Sequence, residues 1–305
     1  MTQVILGAGG DIGKLLAREL KQYTDRVRLV ARNPQQVNGD DELLSANLLS
    51  AEQVDAAVAG TSIAYLVVGL KYDLRIWQRD WPLIMDNVIN ACLKHGVKLV
   101  FFDNVYSYDK QAIPHMTEES PLNPPSKKGK VRLAIVEKIH NAISQKGLKA
   151  LIARSADFYG PGAKNGILNI MVLDPILKGR KLNWQSNADK VHSFTYTPDA
   201  AKATAKLGNT NSAYSQVWHL PTSSQRFTGR EFVEKAASIK GVKASFSLLS
   251  PFLLRLAGLF NRTIHELVEM QYQNNQDYFF DSQKFCKQFG FTPTSYEEGM
   301  KEVLD

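Results

Sequence analysis

The chain is poor in the residues that tie a protein together covalently or hold a metal. Among 305 residues there are two cysteines, Cys92 and Cys286, far apart and each within an apolar, helix-like pattern. A disulfide framework is thereby excluded, and a chain of this length buries enough apolar surface to do without one. Two buried free thiols are the expectation. The six histidines stand apart from one another, and neither His-x-x-x-His nor a cysteine pair occurs, so no metal centre is expected. Long apolar runs are missing as well. The nearest, "SLLSPFLLRLAGLF" at 247–260, is interrupted by Pro251 and Arg255 and falls short of the roughly 18–20 residues a membrane helix needs. A core or interface helix is expected there. Neither a charged leader nor an apolar signal segment precedes the first strand. Together these absences lead us to expect a cytoplasmic protein without a membrane partner.

Charge is not balanced: the net charge is +7, yet the basic residues are scattered. The one cluster, "SKKGKVR" at 126–132, lacks the interleaved aromatics of a single-strand groove, so nucleic acid is not an expected partner. Two readings of the cluster remain open, a solvated helix start or a contact for the phosphates of a small, anionic molecule.

What the chain does have is glycine in one place. In "VILGAGGDIG", residues 4–13, Val4, Ile5 and Leu6 read as a short buried strand cut off by glycine. Ile12, Leu15, Leu16 and Leu20 then fall on one face of a helix, with Lys14, Arg18 and Glu19 outside it. The glycines thus fill a strand-to-helix turn. Gly7 permits the tight turn, Gly10 lets backbone approach a ligand, and Gly13 lets helix pack on sheet. The free N–H groups of the helix start suit a pyrophosphate. Gly7, Ala8, Gly9, Gly10, Asp11, Ile12 and Gly13 are the candidate dinucleotide cradle, the alternative being a tight turn with no ligand.

Further strands are expected at 26–32, 61–69, 97–104 and 149–158, with helices between them, among them "WQRDWPLIMDNVINACLKHG" stopped by Gly96. Strands alternating with helices give an α/β fold, a Rossmann-type doubly wound parallel sheet. After about residue 160 the pattern loosens into short strands, such as 215–221, and helices near 228–239, 262–275 and 295–304. Residues 1–160 are read as the dinucleotide-binding domain, with later strands returning to its sheet, and 161–305 mainly as a smaller C-terminal substrate lobe. Val68, at the end of the third strand, joins the cofactor-binding candidates. The second strand ends at Arg32 rather than at the carboxylate that binds ribose hydroxyls in NAD sites, and a guanidinium there fits a 2′-phosphate. NADP is favoured, with NAD possible if Arg32 only stacks on adenine.

These residues resemble the extended short-chain dehydrogenase/reductases, the NAD(P)-dependent epimerase/dehydratase group. Gly7-x-x-Gly10-x-x-Gly13 has that spacing. "DNVYSYD" (103–109), "ARSADFYGPG" (153–162), "HSFTYTPDAAKA" (192–203) and "DSQKFCKQFGFTPTSYEEGMKEVL" (281–304) are similar to its further segments, in order. The resemblance implies a nicotinamide cofactor, with Ser155 and Phe158 beside it, and a Tyr-x-x-x-Lys pair exchanging a proton with a substrate hydroxyl or carbonyl. The helix that should carry the pair, "PPSKKGKVRLAIVEKI", does not. Gly129 stands at the tyrosine position, Leu133 at the lysine position and Asn104 at that of the accompanying serine or threonine. The substitutes are Tyr106 or Tyr108 at a strand end, with Lys128 or Lys130 facing them and Asn104 either donating to a substrate carbonyl or capping its strand. Tyrosines packing the loop and solvated lysines are the plainer alternative. Asp157, without a visible neighbour, and the lone His192 read as structural, His219 as a strand residue, and Trp77 and Trp81 as core or interface.

Two functions follow from the resemblance: an NAD(P)-dependent epimerase, dehydratase or reductase acting on a nucleotide sugar or a small hydroxyl or carbonyl compound, or a non-catalytic NAD(P)-binding sensor. The helix starting near Trp77 is the expected contact of a homodimer.

Overall fold

Val4, Ile5 and Leu6 are wholly buried, the environment of a strand in the middle of a sheet covered on both faces. They belong to β1 (Thr2–Leu6) in a computed structural model that describes residues 1–250, 252, 256 and 262–305. The chain leaves β1 through α1 (Asp11–Leu20) to β2 (Arg26–Ala31) and β3 (Glu42–Ser45). It then crosses back by α2 (Ala51–Val58) to β4 (Thr61–Leu66), α3 (Leu74–His95), β5 (Lys98–Asn104), α4 (Lys127–Lys146) and β6 (Ala150–Ser155). With β10 (Val217–His219) these strands form a seven-stranded sheet in the order β10-β6-β5-β4-β1-β2-β3. The pairs β1·β2, β1·β4, β2·β3 and β4·β5 are parallel. Because β2 lies on one side of β1 and β4 on the other, the winding reverses between β1 and β4, which is where such sheets open a crevice at their carboxyl ends.

Contacts divide the chain into two compact units. The first holds Met1–Tyr106, Lys128–Arg154 and Ala200–Trp218; the second holds Ser107–Lys127, Ser155–Asp199 and His219–Asp305. The second contains β7 (Asp157–Tyr159) paired with β9 (Phe194–Tyr196), and β8 (Leu182–Gln185) paired with β11 (Phe246–Leu249). Its helices include the single-turn α5 (Asp174–Leu177), α7 (Gly229–Lys240), α8 (Arg262–Val268), α9 (Gln283–Phe289) and α10 (Tyr296–Leu304), while α6 (Thr197–Gly208) is shared between the units. An aromatic core of Tyr159, Trp184, Phe194, Phe232 and Tyr296 holds this unit together. Capping boxes at Thr228 and Ser295 start α7 and α10, each satisfying orphan amides reciprocally.

Some elements differ from the sequence reading. The expected strand 149–158 is two strands: the chain leaves the main sheet after Ser155, the Ala156 N–H donates to Thr195 Oγ1, and Asp157–Tyr159 pairs with β9. Residues 247–249 belong to β11 rather than to a helix, and most of the rest of 247–260 lies outside the described residues. The expected helix 262–275 is α8 followed by a separate 3-10 turn at Gln271–Gln273. Strand β3 and helix α2 were not foreseen. Strand β3 is a four-residue edge strand with no fully buried face, which leaves little pattern to read.

Strands β5 and β6 and helix α4 are tied by charge. Asp103, 2% exposed, accepts hydrogen bonds from Arg132 Nε (3.0 Å) and Nη2 through Oδ1, and from Arg154 Nε (3.1 Å) through Oδ2. Arg132 also lies over the Trp81 and Phe101 rings, 4.5 and 4.9 Å from their centroids. Replacing Asp103 by Ala strands two guanidinium groups in the interior, and a loss of about 3–5 kcal/mol is expected in urea unfolding. The triple replacement Asp103→Leu, Arg132→Met, Arg154→Leu is expected to recover most of that loss.

Candidate functional site

The glycine turn sits at the reversal of the sheet. Gly7 has φ +99, and a Cβ on it would lie 2.4 Å from Val68 Cα, so only glycine lets the chain after β1 run against the chain after β4. The Gly7 and Ala8 N–H groups both donate to Val30 O, at 2.9 and 3.0 Å, tethering the turn to β2. A Cβ on Gly13 would lie 2.7 Å from the Ala8 backbone, and Gly13 is buried with Ile12 against the sheet. Gly9 and Gly10 are instead exposed. Nothing lies within 4 Å of a Cβ on Gly9. Gly10 is the N-cap of α1, and no side chain caps that end. The turn therefore has closed glycines where it packs and open ones where it faces out, an arrangement suited to a diphosphate laid on helix amides.

Arg32 is the first residue beyond β2 and is exposed. Its carbonyl accepts the Ser45 hydroxyl at 2.8 Å, fixing the backbone, and its guanidinium has no partner among the described residues.

The ends of β4 and β5 bring a second group together within the same unit. Asn104 Oδ1 accepts the Tyr106 N–H at 3.1 Å, so this side chain caps its strand end. The Tyr72 hydroxyl donates to the Tyr106 hydroxyl oxygen at 3.3 Å. Trp77 is edge-on to Tyr72 and stacked on Tyr106, with centroids 5.6 and 6.1 Å away, and its own N–H donates to Lys71 O at 3.0 Å. Lys128, fully buried, places its Nζ 4.7 Å from the Tyr72 ring centroid. The basic cluster is thus split: Lys127 and Lys130 are exposed, while Lys128 and Arg132 are interior. The reading of a solvated helix start fails for those two. Tyr72 was missed by sequence reasoning. Its place just past a strand of a parallel sheet, where such sheets gather ligand-binding residues, was the signal that could have found it.

The other candidates lie in the second unit. Tyr108 is fully buried, its hydroxyl donating to Thr117 O at 2.8 Å and bonded to His219 Nε2. Ser155 is buried and its hydroxyl donates to Ala156 O at 2.9 Å. Phe158 is half-buried in β7. Asp157 does have a neighbour: its Oδ2 is 2.9 Å from His192 Nε2, and His192 stacks on Tyr278 with centroids 4.2 Å apart. Burial pushes the Glu118 carboxyl above the ordinary range, although the His219 N–H donates to it. The literal spacing Tyr-x-x-x-Lys occurs once, from Tyr106 to Lys110. There the chain passes from one unit to the other through 3-10 turns, so the two residues do not share an α-helical face.

A family model, that of the NAD dependent epimerase/dehydratase family, matches residues 3–217. Curated proteins give no match. Solved structures of similar fold include the UDP-glucose 4-epimerase of Thermotoga maritima with UDP-glucose (TM-score 0.81, 16% identity, 100% of this chain and 97% of that one). The UDP-glucuronic acid 4-epimerase of Bacillus cereus in complex with NAD is another (0.77, 15%, 100% and 98%), as is the UDP-N-acetylglucosamine 4-epimerase of Bacillus cereus (0.78, 16%, 100% and 95%). At these identities the likeness establishes the Rossmann-type α/β fold expected from the sequence.

The two kinds of glycine are separable by experiment. Gly13→Ala overpacks the turn and is expected to lower stability by about 1–3 kcal/mol. Gly9→Ala is expected to leave the unfolding free energy unchanged within about 0.5 kcal/mol while weakening binding of a dinucleotide, as read by titration calorimetry.

Proposed function

Because this chain belongs to the NAD dependent epimerase/dehydratase family, we propose that it binds NADP(H) on the glycine turn and catalyses reversible oxidation at a hydroxyl-bearing carbon. The substrate class we assign is a nucleotide sugar or a small hydroxyl or carbonyl compound. The observation that carries this is the turn itself: Gly7 against Val68 at the reversal of the sheet, followed by a helix start with no side-chain cap. Gly7 to Gly13 and Val68 hold the diphosphate. Arg32, with its side chain unengaged among the described residues, takes the 2′-phosphate, and this supports NADP over NAD. When bound, a nicotinamide supplies a reversible hydride acceptor and donor.

The chain's own contribution is the proton. We assign the exchange to Tyr106, held at its backbone by Asn104, with Lys128 as the nearby cation. Neighbours of similar fold were solved with UDP-sugars and NAD, and this supports a substrate of that chemistry. No helix among the described residues is long and apolar enough to cross a membrane, which is compatible with the cytoplasmic homodimer that completes the reading.

Cofactor oxidation and reduction across a panel of nucleotide sugars and simple carbonyl compounds tests it. The parent is expected to turn over at least one of them, and Tyr106→Phe to lose about 100-fold or more in kcat with NADPH affinity retained. Tight cofactor binding with no turnover on any compound would move the chain to a sensor role. For the cofactor, Arg32→Ala is expected to weaken NADP about tenfold to a hundredfold, the worth of a charge-assisted contact, and to leave NAD nearly unchanged. Equal weakening of both removes the case for NADP.

A further inference from the structure

Lys128 and Tyr106 are the two groups the proposed chemistry asks for, and Tyr72 touches both. Its hydroxyl donates to the Tyr106 oxygen at 3.3 Å, and its ring face lies 4.7 Å from Lys128 Nζ. We propose that Tyr72 is a positioning residue for the proton exchange, coupling the buried lysine to the Tyr106 phenol. This rests on the reading of Tyr106 as the proton-exchanging group.

Three features argue for it. The direction of the hydrogen bond is the first. An oxygen that accepts a hydrogen from a neighbour is better able to carry negative charge, so the Tyr72 O–H stabilises Tyr106 in its phenolate form. The second is the seat of the lysine. An ammonium over an aromatic face in a water-poor setting is held by the ring quadrupole, and Lys128 is fully buried. Its Nζ is therefore seated against the ring of the phenol that bonds Tyr106. The third is rigidity. Trp77 is edge-on to one tyrosine and stacked on the other, and its N–H is fixed on Lys71 O. Two phenols gripped by one indole hold their oxygens together without the entropy loss of ordering free side chains during the reaction.

In the oxidative direction the substrate O–H bond breaks and its proton passes to the Tyr106 phenolate oxygen. A bound nicotinamide would supply the acceptor for the hydride of the adjacent C–H bond as the carbonyl forms. The reverse direction returns the proton from Tyr106. Tyr72 keeps its own proton throughout.

Tyr72→Phe removes the hydroxyl and keeps the ring under Lys128, so it isolates the hydrogen bond. Its kcat is expected to fall about tenfold to a hundredfold, as for a hydrogen bond to a charged group, with KM, NADPH affinity by fluorescence titration and melting temperature near parent values. Tyr72→Leu also removes the seat of Lys128 and is expected to fall further. Since Tyr72 acts only through Tyr106, Tyr72→Phe/Tyr106→Phe is expected to be no slower than Tyr106→Phe alone, a non-additivity that mere loosening of the fold does not produce. Additive losses, or a Tyr72→Phe enzyme as fast as the parent, would overturn the proposal while leaving the enzymatic reading intact. A parent that binds NADPH but turns over no compound of the panel would remove that reading, and this inference with it.

Discussion

The constraint on which the glycine turn of the first unit depends is between two backbones. Where the sheet reverses its winding, the chain after β1 and the chain after β4 run so close that any Cβ on Gly7 meets Val68 Cα. That approach sets the direction in which the chain leaves β1, and hence where α1 begins. It directs the uncapped helix amides outward at the carboxyl end of the sheet. A bulkier turn would push α1 away from β4, and Gly13, packed against Ala8, would lose its reason to be glycine. The direction of the helix start thus follows from a packing limit.

A second, electrostatic constraint acts beside it. Asp103, near the carboxyl end of β5, binds one guanidinium from α4 and one from β6. A buried group of this kind is seldom a net source of stability compared with apolar packing. Its effect is on register. Arg132 can meet Asp103 only if α4 lies at one rotation over the sheet, and Lys128, four residues earlier, lies one turn away on the same side of that helix. Asn104 follows Asp103 directly in the chain, and Tyr106 comes two residues later. The ion pairs therefore place the helix-borne lysine and the strand-end tyrosine relative to one another.

This division explains what could be read in the sequence. The glycine turn was legible because backbone requirements leave a residue signature: Gly7, Gly10 and Gly13 are needed at fixed spacing whatever surrounds them. Strands β1, β4, β5 and β6 were legible for a similar reason, since burial on both faces demands uninterrupted apolar runs. The edge strand β3 makes no such demand and left no trace. The break at Ala156 was hidden because "LIARSADF" has the composition of one strand. What divides it is a tertiary hydrogen bond that the Ala156 N–H donates to Thr195 Oγ1, 39 residues away. The partner of Asp157 was likewise invisible, His192 being distant in the chain and ordinary in its setting.

The lysine and tyrosine of the proposed site belong to the class that local pattern does not encode. A Tyr-x-x-x-Lys pair is recognisable because one helix carries both groups a single turn apart. By the resemblance of the helix, with Glu137 aligned, Gly129 and Leu133 fall at those places, and Lys128 sits five residues before Leu133, about 7.5 Å earlier along the axis at 1.5 Å per residue. A lysine moved that far needs its phenol from elsewhere, and a parallel sheet provides elsewhere in one direction, at the ends of neighbouring strands. Tyr72 follows β4 and Tyr106 follows β5, and β4 and β5 are adjacent, so the two phenols meet although 34 residues separate them. The spacing that identifies the pair in a sequence is thus replaced by adjacency in the sheet, which a sequence motif does not record.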